Sequence, residues 1–528
     1  MKTGCDAGER RVPLKWLLIF SAVHFLSLLV FVLPGDDQGR SLWGQLPQDD
    51  AWIHLVYGRA ILSDAYPAYN DSEPETGFTS PLWAVFAAVA HLPELAGLED
   101  SAPVAIKIIG VLLALLLSWL AAGLLLSLGS PRWLALVAGL WLALDPEMIY
   151  AKLSGMEIVA SAVFVLWGII AVHRKKWLRS GVFLALAVAA RPENVFMPFA
   201  VAGLEFLYSR FRIDLKKSLA LLVPTACLVL AWVLYCLMAT GYPLPNTALM
   251  KAMQNVEPLL SVMALVKYFW ASPTFAYGAG LALLTLGVWS GIANGDENSR
   301  RTWRLVYIYV AIFSAGIVAS RSLVGPDIFY QLRYIMPVFP FLILIMARAL
   351  PLLADAVKLN SGRDEKTALA SLKLYGSFLL IGVYLIVFSF NFAFQLSEYG
   401  RDCGEVTRMN VDAGKWIAAN TPEDALVATA DAGAIRYFGV RRTIDLLGLN
   451  THEVARSELA EEFFKRNKID YFFIYANRPP FAGLVKSPNL ESVWGNIAKP
   501  SSVLNVPELQ VGIFRVKNPD LPFSVKWN

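Results

Sequence analysis

Two adjacent carboxylates, Asp49 and Asp50, follow the first long apolar run in the stretch LPQDDAWIHLVYGRA. Paired carboxylates can act as general bases, can bind a divalent cation, or can be ordinary charges at a membrane interface. An aromatic and amphipathic segment comes directly after this pair, which predicts a position at the depth of lipid headgroups. The pair is therefore our candidate for catalysis. If the protein uses Mg²⁺, Mn²⁺ or Ca²⁺, Asp49 and Asp50 are its candidate ligands.

Carboxylates at headgroup depth suit chemistry on a sugar that is linked to polyprenyl phosphate. One aspartate can remove the proton of an acceptor hydroxyl, while cationic side chains stabilise the leaving phosphate. Each of these cations has an alternative role as an interfacial anchor whose charged end reaches water. The candidates on or near the predicted outer face are Arg59, Arg191, Lys251, Arg321 and Arg333.

Three further polar residues stand where predicted spans meet the outer loops. Glu157 in SGMEI and Glu193 in ARPEN are functional candidates, because ionisable groups at a membrane edge are costly. Glu193 can instead pair with Arg191. Asn246, which follows a proline-rich turn, can contact a sugar hydroxyl or can cap the next helix.

The composition predicts a polytopic α-helical membrane protein. The chain has 528 residues, of which 56% are hydrophobic and 17% are charged. Soluble domains are closer to a quarter charged, and about 20 apolar residues suffice for one helical span. The net charge of +4 is collected in loops, where basic residues set topology, so we expect a lipid bilayer and no nucleic acid as the partner.

Apolar runs predict about eleven transmembrane helices. They cover residues 16–33, 103–128, 133–150, 156–172, 177–190, 195–208, 218–239, 274–290, 306–319, 334–346 and 374–394. The stretch 81–92 is too short for a span and is interpreted as an interfacial helix. With this count the basic loops fall on the cytoplasmic side together with the N-terminus. The first outer loop is then 34–102.

The predicted division is a membrane domain at 1–394 and a soluble outer domain at 395–528. Short strand patterns such as ALVATAD, TIDLLGL, YFFIYA and VGIFRV alternate with helical patterns in the second part. This alternation predicts a small α/β domain.

The order of the motifs resembles one group of the GT-C glycosyltransferases. An acidic pair after the first span is followed by TSPLW, SGME, ARPE, LPNT and DLLGL. The pattern is most similar to the membrane arabinofuranosyltransferases related to the enzyme that places terminal arabinofuranose on actinobacterial cell-wall arabinan. The resemblance runs from Asp49 to about Leu449 and implies a GT-C-like fold.

The resemblance implies a polyprenyl-phosphate-linked donor with arabinofuranose as the sugar, and a glycan or protein of the cell envelope as acceptor. It implies a bacterial inner (plasma) membrane location, with the active site and the C-terminal domain in the periplasm. Asp49 or Asp50 would be the base. The residues that would line the donor or acceptor site are Glu75, Glu157, Arg191, Glu193, Asn246, Lys251, Asp327 and Arg333.

The chain departs from the family pattern at one motif, and two of its matching aspartates have an alternative role. Related enzymes often have GGD where this chain has VGPD, which weakens the assignment of Asp327. Asp431 in ADAGAI and Asp445 in IDLLGL fall in matching motifs, but capping of strand ends is an equal alternative for both.

Three other functions compete with glycosyl transfer. A transporter or flippase of lipid-linked sugars would need polar groups at mid-membrane and repeated halves, and the sequence has no repeat. An O-antigen-ligase-like protein would centre on arginine and histidine in long outer loops. This chain has five histidines, and only His54 and His91 fall in the early predicted outer segments, which weakens this alternative. A non-catalytic subunit with a degenerate site is the third, and the intact acidic pair argues against it.

Overall fold

The structure is a computed structural model of the chain. It describes residues 11–252, 259, 262–263, 279–293, 296–320, 333–361, 368–456, 462–464, 466–478, 481–498 and 509–519. Long helices up to residue 406 form a bundle, and a five-stranded sheet with short helices follows it.

The helices of the first half and their connections hold most of the predicted site. They are α1 (Leu14–Val32), α2 (Asp49–Ser63), α3 (Pro81–Ala90), α4 (Leu92–Leu95), α5 (Ala102–Ser127), α6 (Arg132–Leu144), α7 (Pro146–Leu153), α8 (Ile158–His173) and α9 (Trp177–Ala190). A short hairpin of β1 (Ala68–Asn70) and β2 (Glu73–Pro74) lies between α2 and α3.

The bundle continues through helices of unequal length. They are α10 (Phe196–Tyr208), α11 (Leu215–Thr240), α12 (Asn246–Ala252), α13 (Ala279–Ala293), α14 (Glu297–Ser320), α15 (Phe339–Ala347), α16 (Ala349–Ser361) and α17 (Ala368–Val406). The residues Pro192–Val195 and Met336–Val338 form single 3₁₀ turns next to predicted site residues.

The core of the bundle is built around α8. Nearly all of its residues are buried, as expected for a helix that is apolar on every side. Its Trp167 ring stacks on Phe183 of α9 with 4.3 Å between the centroids. Helix α3 packs against α2 and α5, and its Trp83 donates from Nε1 to the carbonyl oxygen of Gly155 at 2.8 Å. This contact holds the segment that leads to Glu157.

In the part of the chain that the structure describes, six helices are long and apolar enough to cross a membrane. The number rises to seven if α6 and α7 form one span. Shorter apolar helices cover several of the other predicted runs, including α8 and α9. The chain is therefore a multi-pass helical membrane protein, and the count of eleven spans stays a prediction.

The run predicted as one span at 133–150 is broken in the structure. Helices α6 and α7 meet at an angle of 57°. Pro146 stands at the first position of α7, and the side chain of Asp145 accepts from the backbone N–H of Met148 at 3.1 Å. Proline lacks an N–H and an aspartate cap starts a new helix, so the chain turns there despite its apolar character.

A continuous helical rod connects the two parts of the molecule. Helix α17 passes through a π-helical turn, Thr407–Val411, into α18 (Asp412–Asn420). The predicted domain boundary between residues 394 and 395 lies inside α17.

The C-terminal domain contains one mixed sheet, in agreement with the predicted α/β class. Its strands are β3 (Leu426–Thr429), β4 (Arg442–Asp445), β5 (Tyr471–Tyr475), β6 (Leu490–Ala498) and β7 (Leu509–Val516). The order is β4-β3-β5-β7-β6, with β3 parallel to β4 and β5 and the last three strands antiparallel. The helices α19 (Ala434–Gly439) and α20 (Phe481–Leu484) complete it. Strand β6 was not predicted from the sequence.

Gly110 tests the packing of the bundle. A Cβ atom at this position of α5 would overlap the backbone carbonyl of Lys152 in α7, because the two helices approach closely there. We expect Gly110→Ala to lower the midpoint of thermal unfolding in detergent, with a loss of about 1–3 kcal/mol from overpacking. Gly123→Ala on the same helix is the matched control, since its Cβ would meet only Val12 at an ordinary 3.5 Å. Equal midpoints for the two variants would contradict this packing.

Candidate active site

The acidic pair opens helix α2. Gln48 is extended, and Asp49 and Asp50 form the first helical turn, where negative charge interacts favourably with the helix dipole. Consecutive side chains on a helix point about 100° apart, so the two carboxylates cannot face the same surroundings. The side chain of Asp49 points toward the C-terminal domain, and that of Asp50 lines a pocket.

Asp49 joins the membrane domain to the C-terminal domain. Its Oδ2 accepts from the backbone N–H of Gly433 at 2.7 Å, and its Oδ1 accepts from that of Ala434 at 2.9 Å. These N–H groups begin helix α19, so the carboxylate caps that helix from outside its own domain. Both oxygens of Asp49 are thereby committed to backbone groups.

Asp50 is paired with an arginine from the far end of the membrane domain. Nη2 of Arg333 donates to Oδ2 of Asp50 at 2.5 Å, and Nη1 donates to Oε1 of Gln48 at 3.3 Å. The Asp50 side chain is 31% exposed and the Arg333 side chain is 6% exposed. Asp50 is therefore accessible from the pocket, whereas Arg333 forms its wall.

The pocket lies where loops of the bundle meet the C-terminal domain. The empty space between its lining residues, including the part that is open to solvent, is about 590 Å³. Its residues come from α2, the loop before α3, the segments before α8 and α10, the start of α12, the residues before Met336, and Leu449 of the C-terminal domain. They include Asp50, Ile53, His54, Phe78, Thr79, Met156, Glu157, Arg191, Glu193, Thr247, Arg333, Tyr334 and Leu449.

Charges of both signs converge in this pocket. Nε of Arg191 lies 3.6 Å from Oε1 of Glu157 and 3.8 Å from Oε2 of Glu193, and its Nη1 donates to the carbonyl oxygen of Arg333 at 3.1 Å. Buried charges need such partners. The structure thus brings together five predicted residues: Asp50, Glu157, Arg191, Glu193 and Arg333.

His54 and Tyr334 are among the pocket residues that were not assigned to the site from the sequence. Nε2 of His54 lies 3.7 Å from Oε2 of Glu157. His54 follows Asp50 by four positions, so their shared helix face could have revealed it. The ring of Tyr334 lies under the guanidinium groups of Arg333 and Arg191, at 5.1 and 5.5 Å. The one sequence signal for Tyr334 is that it directly follows Arg333, a predicted site residue.

Glu75 and Asn246 form a second cluster beside the pocket. Nδ2 of Asn246 donates to Oε1 of Glu75 at 2.8 Å, and Oδ1 of Asn246 accepts from Arg456 at 3.2 Å. Oε2 of Glu75 accepts from the backbone N–H of His452 at 3.0 Å. These contacts join the first outer loop, the start of α12 and the C-terminal domain.

The remaining predicted cations and Asp327 stand apart from this arrangement. The guanidinium of Arg59 lies 3.9 Å above the ring of Tyr437 and donates to the carbonyl oxygen of that residue at 3.2 Å. Arg59 is not part of the pocket lining. The side chain of Lys251, and all of Arg321 and Asp327, lie outside the described residues.

Two aspartates of the C-terminal domain crowd the acidic pair. Burial, followed by the nearby charge of Asp431, raises the pKa of Asp49 to about 7. Burial also raises the pKa of Asp431 to about 6, although Tyr475 and Asn410 donate to its carboxylate. Asp445 caps the turn after β4 through the N–H groups of Leu447 and Asn450, and burial raises its pKa to about 6.

The acidic pair does not fit a metal ion held jointly by both residues. The Asp49 oxygens accept backbone N–H groups, and Asp50 is neutralised by Arg333. Joint ligands of one ion must point toward the same position, whereas these two carboxylates face different surroundings.

Crowding of these carboxylates predicts a pH-dependent stability. Because the folded pKa of Asp49 lies above its ordinary value of 3.8, the folded protein binds more protons than the unfolded chain between about pH 4 and about pH 7. The free energy of unfolding therefore falls as the pH rises through that range. We expect Asp431→Asn to weaken this dependence, since it removes the neighbouring charge.

The measurement is the midpoint of thermal unfolding in detergent across that pH range. Asn410 can flip its amide to accept from an asparagine at 431, because its Oδ1 has no hydrogen-bond partner among the described residues. The exposed Asp424→Asn change in the same domain is the control. An unchanged slope in Asp431→Asn would contradict the interpretation.

Comparison with known proteins supports the fold. Residues 401–511 match a family described as a domain of unknown function (DUF8728), and no curated protein matches the chain. ArnT from Cupriavidus metallidurans, bound to undecaprenyl phosphate, is similar with a TM-score of 0.58 and 15% identity, over 97% of this chain and 100% of that one. An Archaeoglobus fulgidus oligosaccharyltransferase in the apo form is similar with a TM-score of 0.58 and 13% identity, over 88% of this chain and 69% of that one. The same archaeal enzyme tethered to an acceptor peptide with the NVT sequon gives 0.57 and 12% over the same shares. The chain therefore has the GT-C fold, with a small C-terminal α/β domain.

Proposed function

We propose that the protein transfers a glycosyl residue from a polyprenyl-phosphate-linked donor to a hydroxyl group of an extracytoplasmic acceptor. The observation that carries this proposal is the pocket in which Asp50 faces Arg333 and Arg191 at the junction of the two domains. The similarity to ArnT, whose structure was solved with undecaprenyl phosphate, supports the choice of donor. Arabinofuranose is the sugar suggested by the motif resemblance.

Asp50 is the proposed general base. A base must first be within reach of the substrate, and only then does its pKa matter. Asp49 has a pKa raised to about 7, which would suit proton transfer, but both of its oxygens accept backbone N–H groups. Asp50 lines the pocket with an accessible side chain. Position therefore favours Asp50.

The reaction exchanges one C–O bond for another. The acceptor oxygen attacks the anomeric carbon and passes its proton to Asp50, while the bond from that carbon to the phosphate oxygen breaks. Negative charge then grows on the departing polyprenyl phosphate. Arg333 and Arg191 are the proposed stabilisers of this charge, because guanidinium groups bind phosphate oxygens with directed N–H donors.

The remaining pocket residues are proposed to position the sugars. Glu157, Glu193 and His54 offer acceptors for hydroxyl groups, and Tyr334 and Phe78 offer apolar faces. The acceptor would enter beside Leu449, where the C-terminal domain borders the pocket. A similar archaeal enzyme was solved with a tethered acceptor peptide, which supports an acceptor site on this fold; glycan and protein both remain candidate acceptors here.

The proposed location is a bacterial inner membrane with the pocket in the periplasm. The hydrogen bonds of Asp49 to Gly433 and Ala434 support a location of the pocket and the C-terminal domain on the same side of the membrane. We expect alkaline phosphatase fused after Asn528 to be active in intact cells, and green fluorescent protein at that site to be dark when exported unfolded. Fluorescence without phosphatase activity would reverse the orientation.

The central test is a transfer assay with purified protein. It uses synthetic polyprenyl-phosphoryl arabinofuranose, an arabinan oligosaccharide as acceptor, and release of polyprenyl phosphate as the signal. We expect Asp50→Asn to lower kcat by about 10²–10⁴-fold, which is typical of lost general-base catalysis. Asp49→Asn should keep more activity and lose thermal stability instead. Asp64→Asn at the opposite end of α2 is the control.

The outcomes separate the alternatives. Full activity of a folded Asp50→Asn protein would contradict the proposed base. Donor binding without release would point to another sugar or acceptor. Donor binding without transfer to any acceptor would favour a transporter or flippase of lipid-linked sugars, and absence of donor binding would favour an O-antigen-ligase-like protein with a different lipid-linked donor.

A further inference from the structure

Three metal-ligating side chains from two domains meet beside the pocket. They are Glu75 of the first outer loop, and His452 and Glu453 of the C-terminal domain. One ligand atom from each lies within 4.8 Å of the others. We propose that Glu75, His452 and Glu453 bind a Zn²⁺ ion that fastens the first outer loop to the C-terminal domain. This site is separate from Asp49 and Asp50, and the proposal does not depend on the glycosyltransferase activity.

The distances within the cluster suit one small ion. Nδ1 of His452 lies 3.0 Å from Oε2 of Glu75 and 3.3 Å from Oε2 of Glu453. Two ligands of a tetrahedral zinc ion, each at about 2.0–2.2 Å from the metal, lie roughly 3.3–3.5 Å apart. Both distances from His452 lie within a few tenths of an ångström of this spacing, and the two carboxylate oxygens lie within 4.8 Å of each other.

The ligand set favours zinc among the divalent cations. Zn²⁺ accepts both imidazole nitrogen and carboxylate oxygen as ligands, and water can fill the fourth position of a site with three protein ligands. Mg²⁺ and Ca²⁺ prefer oxygen ligands alone and would gain little from the histidine.

Neighbouring groups orient the buried ligand. Oε1 of Glu75 accepts from Nδ2 of Asn246 and from the backbone N–H of Thr76, both at 2.8 Å. These bonds direct Oε2 toward the C-terminal domain, where it also accepts the backbone N–H of His452 at 3.0 Å. Such hydrogen bonds to a metal ligand tune affinity, because they fix the carboxylate before the ion arrives.

An ion can reach the cluster from solvent. The Glu75 side chain is only 8% exposed, whereas those of His452 and Glu453 are 27% and 26% exposed. The site is therefore closed on the side of the pocket and open on the side of the C-terminal domain.

Zinc at this place would stabilise one wall of the pocket. The loop that continues from Glu75 supplies Gly77, Phe78 and Thr79 to the pocket lining. Gly77 fits closely against the C-terminal domain, since a Cβ there would overlap the side chain of Asn450. An ion shared by both sides would hold this interface together.

Without an ion, the N–H at Nδ1 of His452 would donate to the carboxylate of Glu75. A proton and a zinc ion are thus alternatives for the same space, and direct metal binding distinguishes them. The full-length protein in detergent is stripped with a chelator, reloaded with zinc chloride, freed of excess metal by gel filtration, and measured by mass spectrometry of the metal. We expect one zinc per chain and a higher midpoint of thermal unfolding after reloading.

Two ligand variants and one control make the test specific. Glu453→Gln and His452→Gln should weaken Zn²⁺ binding by at least about 10-fold and abolish the thermal shift. Glu73→Gln should bind zinc like the parent, because Glu73 stands two positions from Glu75 but pairs with the exposed Arg442. Glu453 is on the open side, so its glutamine variant should fold.

Three results would overturn the proposal. One is a parent protein that retains no zinc and shows no thermal shift with it. The second is equal zinc affinity in the parent and in Glu453→Gln. A thermal shift with Mg²⁺ or Ca²⁺ but none with Zn²⁺ would also reject a zinc site. None of these measurements uses glycosyl transfer, so their failure leaves the proposed function standing.

Discussion

The capping of helix α19 by Asp49 is the contact on which the candidate site depends. A carboxylate from the first outer loop accepts two backbone N–H groups of the C-terminal domain. Hydrogen bonds to an ionised group are stronger than neutral ones, and here they join segments almost 400 positions apart in the chain. With α2 held in this way, the next residue, Asp50, faces the pocket, and Leu449 of the other domain borders it. The same two hydrogen bonds of Asp49 therefore dock the C-terminal domain and position Asp50 in the pocket.

The same contact has an electrostatic cost. Asp49, Asp431 and Asp445 are close enough that burial and mutual repulsion raise the pKa of each carboxyl. Hydrogen bonds from Tyr475, Asn410 and backbone N–H groups offset part of this cost. Carboxylates with raised pKa values gather at functional sites more often than elsewhere, which agrees with a pocket next to this cluster.

A second connection between the bundle and the C-terminal domain is a continuous helix. The rod formed by α17, the π-helical turn and α18 enters the domain without a loop. Ion pairs tie it to the segment after α1: Arg40 lies 3.1 Å from Asp412, and Arg408 pairs with Asp37. The domain is thus attached both through the rod and through the end of α2. A flexible tether would not keep the loop containing Glu75 against the C-terminal domain.

Composition and motif order determined the class of the protein. Apolar runs predicted a helical bundle, short alternating patterns predicted strands β3, β4, β5 and β7, and the ordered motifs predicted the GT-C fold. The sequence also indicated Asp50 as one of an adjacent acidic pair, and Arg191 and Arg333 as cations for a leaving phosphate. Glu157 and Glu193 were candidates because ionisable groups at a membrane edge are costly. Local pattern could not distinguish Asp49 from Asp50, since adjacent residues of one type look alike in a sequence. Only the tertiary structure gave them different partners, because a helix turns successive side chains toward different surroundings. It also brought His452 and Glu453 to Glu75 from a distant part of the chain, a meeting that depends on domain docking and leaves no periodic signal in the sequence.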